Sequence, residues 1–200
     1  NSKSLRMAST ETNTPLKVQG LDFKEKYERI NSLSGEFVSP YLYKILTEDE
    51  AILVSQQLRR ENQVFVLVSG VFQLIHPGHL AFLAEAKKLG TILGVTTPTD
   101  EQIKHYKDPN GPLITLSHRL IGLSSLEFVD FVFPQQSWYT MDVLEKVRPS
   151  IFAYIVSSKN DHMLSRIQPA KQMGIELRGI TLDTSGFSDT KLFNVIEKLK

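Results

Sequence analysis

Cysteine is absent from the 200 residues, and that one absence removes disulfides, thiolate metal sites and cysteine nucleophiles together. It fits a reducing compartment, so a cytoplasmic setting is the expectation. No apolar run approaches the ~18–20 residues that a bilayer-spanning helix needs. The stretch Asn1 to Gly20 is polar, rich in Ser, Thr and Asn, and lacks the apolar segment of a signal peptide. Charge of one sign is also missing. The 23 Lys and Arg residues are balanced by 22 Asp and Glu, so the overall field favours neither nucleic acid nor a membrane surface. Neither a glycine-rich dinucleotide fingerprint nor a Walker-type lysine follows the first apolar run, which sets a dehydrogenase-like dinucleotide binder aside. There is no internal repeat and no low-complexity block.

What remains is ordinary globular material, 41% hydrophobic and 22% charged, long enough for one domain and an appendage. Residues 1–62 read as an N-terminal extension. Asn1 to Gly20 cannot bury enough apolar surface to offset its ordering entropy and is expected to be disordered. Leu21 to Leu33 carries Leu21, Phe23, Tyr27 and Ile30 at helical spacing. Thr47 then reads as a helix cap, because Glu48, Asp49 and Glu50 suit the positive end of the dipole. Behind it Ile52, Leu53, Val54 and Leu58 form an apolar stripe.

From residue 63 the pattern changes and continues to residue 200. Val64-Phe-Val-Leu-Val68 is a continuous β-branched and aromatic run, the signature of a strand buried on both faces. Further runs at Ile92–Thr97, Phe128–Phe133, Ile151–Val156 and Ile175–Thr181 alternate with helical stretches at Gly78–Leu89, Leu116–Leu126, Met141–Val147, Asp161–Met173 and Ser188–Leu199. Gly90 stands where a left-handed cap would end the first of these helices. Five short apolar strands alternating with helices imply an α/β fold with a doubly wound, five-stranded parallel sheet of Rossmann-like type. Ligands of such sheets bind beyond the carboxyl ends of the strands, which directs attention to the loop after the first one.

That loop ends in His76-Pro77-Gly78-His79, where a strand feeds a helix. Helix N-termini present unpaired amides and partial positive charge, a ready anion site. Pro77 has no donor to lose there, and Gly78 removes a side chain where a phosphate must approach the backbone. His76 and His79 lie three residues apart, so on a helix they share a face and can donate to one phosphate. The same spacing suits zinc, but no cysteine and no evident third ligand accompanies it, so no protein-held metal is expected.

The segment Gly70-Val-Phe-Gln-Leu-Ile-His-Pro-Gly-His79, followed by Phe82-Leu-Ala-Glu-Ala-Lys-Lys-Leu-Gly90, strongly resembles the cytidylyltransferase-like nucleotidylyltransferases with their HxGH motif. Among these it is similar to glycerol-3-phosphate cytidylyltransferases and heptose-phosphate adenylyltransferase domains. The resemblance runs from about Gln63 to Lys200 and includes the spacing to Thr99-Asp100, Lys104, Lys107, Pro112, Arg119 and Leu126–Val132. It implies that the phosphate of a small phosphorylated alcohol or sugar attacks the α-phosphate of CTP or ATP, and pyrophosphate leaves. Mg²⁺ would accompany the triphosphate. His76, His79 and Lys107 would be catalytic. Gly70, Val71, Phe72, Gly78, Ser188 and Thr190 would surround nucleotide and phosphates, and Arg119 and Lys104 would hold the substrate phosphate. Relatives of this kind often pair, and Leu116 to Phe133 is a candidate pairing surface.

The chain departs from the family pattern in places. Gln73 stands where the family has Asp, and Ser157-Ser-Lys-Asn-Asp161 replaces a Gly-rich turn ending in Asp. Asp183-Thr-Ser-Gly-Phe-Ser-Asp189-Thr190 replaces a segment that begins with Arg. Two extra carboxylates near a triphosphate would each oppose it by about 1–4 kcal/mol at 4 Å in wet surroundings. Two readings therefore stand side by side: an active nucleotidylyltransferase, and a degenerate relative that keeps the fold as a nucleotide-binding or interaction module.

Overall fold

A computed structural model describes residues 41–156 and 161–182, the side chains of 161–163 excepted. The expectations for Asn1–Gly20, Leu21–Leu33 and the closing helix, and for Asp183, Ser188, Asp189, Thr190 and the turn at 157–160, lie outside the described residues.

Five parallel strands form the middle layer: β1 (Phe65–Ser69), β2 (Ile92–Pro98), β3 (Phe131–Gln135), β4 (Ile151–Ile155) and β5 (Glu176–Ile180). Their spatial order is β3-β2-β1-β4-β5. Val66 is flanked by Leu93 of β2 on one side and Ile151 of β4 on the other. The chain winds outward from β1 to β3, then returns to lay β4 beside β1. The direction of winding therefore reverses between β1 and β4.

The continuous apolar runs are explained by helices on both faces. Phe65 and Leu67 of β1 point into one core with Phe131, Phe133 and Phe152. That core is covered by α1 (Glu48–Arg60) and α5 (Thr140–Val147) through Ala51, Val54, Leu58, Val143, Leu144 and Val147. Val66 and Val68 point into the other, covered by α2 (Pro77–Lys87) and α4 (Leu116–Ser124) through Phe82, Leu83, Ala86, Leu120 and Leu123. Much of the stretch considered as a pairing surface is thus spent inside the molecule: Leu120, Leu123, Phe131 and Phe133 are all buried.

Helix α1 begins as its sequence suggests. Thr47 accepts from the Glu50 amide while the Glu50 carboxylate accepts from the Thr47 amide, a reciprocal capping box. Its apolar face is a layer of the core, packed against α5, β1 and β3. A further helix, α3 (Asp100–Tyr106), was not among the expected elements. Its sequence signal is a second capping box, Thr99 with Gln102. The stretch expected as one helix from Asp161 to Met173 is α6 (Asp161–Ile167) followed by a 3-10 turn, Gln168–Met173. Pro169 accounts for the change, since it lacks the N–H that would continue the α-helical ladder.

Gly90 corrects one expectation. The positive-φ glycines among the described residues are Gly111 and Gly174, not Gly90. Glycine is needed at 90 for close approach instead: a Cβ there would stand 2.6 Å from the Val64 carbonyl oxygen and 2.7 Å from a Val66 methyl. Gly90→Ala is expected to destabilise the fold by about 1–3 kcal/mol, the usual range for overpacking. Gly90→Asn should be no milder, because backbone contact rather than handedness is the obstacle. Denaturant unfolding of both variants checks this, and an Asn variant as stable as wild type would restore the left-handed cap.

Candidate functional site

The loop between β1 and α2 leaves the sheet beside the point where the winding reverses. Its shape is set from below. Gly70 donates to the Thr96 carbonyl at 3.2 Å. The next carbonyl, that of Val71, accepts from the Thr97 hydroxyl at 3.1 Å and from Arg119 Nη1 at 3.0 Å. Phe72 is then held at φ 48°, a conformation that costs a non-glycine residue of the order of 1–3 kcal/mol unless its surroundings enforce it. In return its ring is buried and meets the His79 ring edge-on, centroids 5.0 Å apart. Gly70 is required beneath it, since a Cβ would lie 2.8 Å from the Phe72 ring.

His76 is the N-cap of α2, with Pro77 at the first helical position. Its Nδ1 accepts from the His79 amide at 3.3 Å. His79 Nδ1 faces the Leu74 carbonyl at 3.0 Å. A carbonyl only accepts, so this bond places a proton on His79 Nδ1, whereas the cap leaves His76 Nδ1 bare and its proton on Nε2. The two rings stack, centroids 3.8 Å and planes 20° apart. His76 is buried and His79 partly so. The pair is therefore fixed face to face at the positive end of an 11-residue helix, with Gly78 buried between them.

Arg119, expected as a substrate-phosphate ligand, is placed inside the fold, beneath the histidine loop. It is only 2% exposed, and all five of its N–H groups are engaged. Nε donates to the Ile114 carbonyl, Nη1 to the Val71 carbonyl and the Thr97 hydroxyl, and Nη2 to the Pro98 carbonyl and to Asp100. Burial pushes its pKa down, and the hydrogen-bonded Asp100 carboxylate opposes this. In this arrangement Arg119 has no donor left for a phosphate. It ties the β1–α2 loop, the end of β2 and the start of α4 together. Asp100 completes the tie by accepting from the Leu116 amide with its other oxygen.

Gln73, at the position where the family pattern has Asp, is buried and accepts from the Leu113 amide at 3.0 Å. It clamps the segment before α4 to the histidine loop. Lys104 and Lys107 are exposed at the C-terminal end of α3. The Lys104 chain runs over Gly111, where a Cβ would lie 2.8 Å from its Cε.

Sequence reasoning missed a cleft beside this loop. It encloses about 850 Å³ beyond the carboxyl ends of β1, β2 and β3 and is lined by Ser69, Pro98, His105, Tyr106, Trp138 and Arg166, among others. That volume lies in the range of small-molecule sites. His76 and His79 are not in its lining among the described residues, so the histidine loop and the cleft are adjacent parts of one end of the sheet. The sequence signal was Trp138-Tyr139 directly after the third strand, two exposed aromatics at a strand's carboxyl end.

No cluster of three or more His, Asp or Glu able to hold a metal occurs among the described residues, and none of their helices is long and apolar enough to cross a membrane.

Comparisons with known proteins agree with the α/β fold. The family model described as cytidylyltransferase-like matches residues 67–183. The bifunctional protein HldE of Actinobacillus pleuropneumoniae serotype 5b (strain L20) is 29% identical over 161 residues, covering 79% of this chain and 32% of that protein. HldE of Edwardsiella ictaluri (strain 93-146) is 27% identical over 159 residues, covering 78% and 32%. The chain thus spans about a third of the length of these curated relatives. Among solved structures, the lipopolysaccharide core biosynthesis protein from Thermoplasma volcanium GSS1 superposes with a TM-score of 0.50 at 27% identity, covering 60% of this chain and 97% of that one.

Proposed function

Because the chain belongs to the cytidylyltransferase-like family, we propose that it transfers a nucleotidyl group from CTP or ATP to a small phosphorylated alcohol or sugar in a cytoplasmic setting. A phosphate oxygen of the acceptor attacks the α-phosphorus of the triphosphate. The bond to the bridging oxygen breaks, and pyrophosphate leaves with that electron pair. The observation that carries this reading is the stacked His76–His79 pair at the N-terminus of α2, where helix amides and imidazole N–H groups can meet the same phosphate.

His76 donates from Nε2, since its Nδ1 is committed to the cap. His79, whose Nδ1 proton is committed to Leu74, donates from Nε2 when its ring is protonated. Charge gathering on the α-phosphate oxygens is thus met by His76 Nε2 as it stands, and by His79 Nε2 once that ring has taken up a proton. Lys107, with Lys104 beside it, supplies a mobile cation for the triphosphate or the acceptor phosphate. Gly70, Val71, Phe72 and Gly78 would bring backbone close to the phosphates, and Ser188 and Thr190, outside the described residues, are assigned to the phosphates on the family resemblance alone. Mg²⁺ would accompany the triphosphate and neutralise part of its charge. Arg119 acts by positioning the loop rather than by touching phosphate.

Calorimetric titration of CTP and ATP with Mg²⁺ into the full chain is expected to show micromolar binding of one of them. The same nucleotide should then support pyrophosphate release with glycerol 3-phosphate or with a sugar 1-phosphate. Failure of both triphosphates to bind would overturn the proposal.

A further inference from the structure

The cleft is walled by aromatic surface that a folded protein usually covers. Trp138 is 46% exposed, Tyr106 51% and Tyr139 62%. Arg166, also exposed, lines the cavity with no ion-pair partner among the described residues. A flat aromatic face near an uncommitted guanidinium suits a compound that carries both a ring and a phosphate.

The segment that delivers Trp138 is held with unusual density. Glu48 of α1, a buried carboxylate, accepts from the Gln136 amide at 2.8 Å, from Lys146 Nζ at 3.0 Å and from the Ser137 hydroxyl at 3.4 Å. Lys146 also donates to the Ser137 hydroxyl at 2.8 Å. The Ser137 carbonyl accepts from Gln135 at 2.8 Å and from Gln102 at 3.0 Å. A buried charge is tolerated only when its partners are all in place, and this network converges on residues 135–137, which add nothing apolar to either core. What it fixes is the next residue. From the other side His105 packs edge-on against Trp138, centroids 5.2 Å apart at 75°, on a helix whose Gln102 belongs to the same network.

We propose that Glu48 is a positioning residue for this cleft, holding Trp138 as the wall against which the ring of a phosphorylated ring compound lies. Helix α1 precedes the matched family span, 67–183. The chain before that span would therefore shape the ligand pocket as well as cover the core.

Trp138 is the one tryptophan in the sequence, so its emission reports the cleft directly. Ribose 5-phosphate, AMP and inorganic phosphate are titrated into the full-length protein. At least one ring compound should change Trp138 emission and bind about tenfold or more tighter than inorganic phosphate, the gain expected from ring stacking. The ring compound that responds tells a saturated sugar from a planar base. Glu48→Ala should raise acrylamide quenching of Trp138 and weaken the ring compound several-fold while leaving inorganic phosphate unchanged. Glu48→Gln, which keeps an acceptor for the Gln136 amide, should restore part of the loss. Should Glu48→Ala not fold, Lys146→Met, which removes the counter-charge from the half-exposed side, should give the same split at smaller size. Equal binding of ring compounds and inorganic phosphate by wild type overturns the proposal. So does a folded Glu48→Ala, or Lys146→Met in its stead, with unchanged quenching and ring selectivity. The inference rests on the proposed transfer only for the ligand's role as acceptor. Ring-selective binding without pyrophosphate release would defeat the transfer alone, whereas release without any Trp138 response would defeat this inference alone.

Discussion

His79→Ala is expected to lower turnover by about 10²–10³-fold, the cost of losing one preorganised donor to developing charge, with little change in affinity for the triphosphate. The split follows from geometry. The His79 ring is held by Leu74, Phe72 and the His76 ring, so it is oriented before substrate arrives and costs nothing to arrange as charge develops. The helix amides that bind ground-state phosphate belong to the backbone and survive the substitution. His76 needs a different probe, because it also caps α2. Asparagine is a good N-cap but lacks the Nε2–H, so His76→Asn should keep the helix and lose turnover by a similar factor. Removing both groups should cost less than the product of the single losses, since residues acting on one phosphate as a unit are not additive. Steady-state kinetics with circular dichroism on each variant checks these outcomes.

The second large effect is on stability. Arg119→Met is expected to destabilise the fold by about 3–5 kcal/mol, the range for removing one partner of a buried charge network. Three carbonyls, the Thr97 hydroxyl and Asp100 would each lose a donor at once, and the Val71 carbonyl and Asp100 would keep one other. For a chain of this size that corresponds to a fall in Tm of about 6–20 °C, taking 2–4 °C per kcal/mol. Arg119→Lys should recover little, because an ammonium offers three donors on a flexible stem and cannot reproduce the planar fork. Thermal unfolding by circular dichroism reads this. A Tm within a degree or two of wild type would mean that the guanidinium is free to serve a ligand after all.

These two predictions also mark how far the sequence could be read. The parallel α/β sheet was legible because Val64–Val68 and its counterparts are unbroken apolar runs, which only a strand covered on both faces tolerates. The histidine loop was legible because His76, Pro77, Gly78 and His79 carry their chemistry in adjacent positions. Arg119 was found by its place in the family pattern, but the hydrogen bonds it makes were not legible, since its partners lie on segments up to 48 residues away and burial cannot be seen in a charged side chain's identity. Gly90 was misjudged for a related reason. A glycine past a helix suggests a cap, while the carbonyl that excludes a Cβ belongs to a neighbouring strand entry. The aromatic cleft and Glu48 were invisible because they are assembled from α1, α3, α6 and the loop after β3, elements brought together only by the fold. Helix α3 was the avoidable omission, its capping box being written in Thr99 and Gln102.

The central claim is that the histidine pair drives displacement at the α-phosphate, and the rate of pyrophosphate release tests it most directly. Wild type and the double variant His76→Asn with His79→Ala would be compared at saturating triphosphate and acceptor. The account predicts release that requires the acceptor and falls by at least about 10³-fold in a double variant that still binds the triphosphate. Release that persists undiminished in the double variant would contradict it, as would a wild type that binds triphosphate and releases no pyrophosphate with any phosphorylated alcohol or sugar.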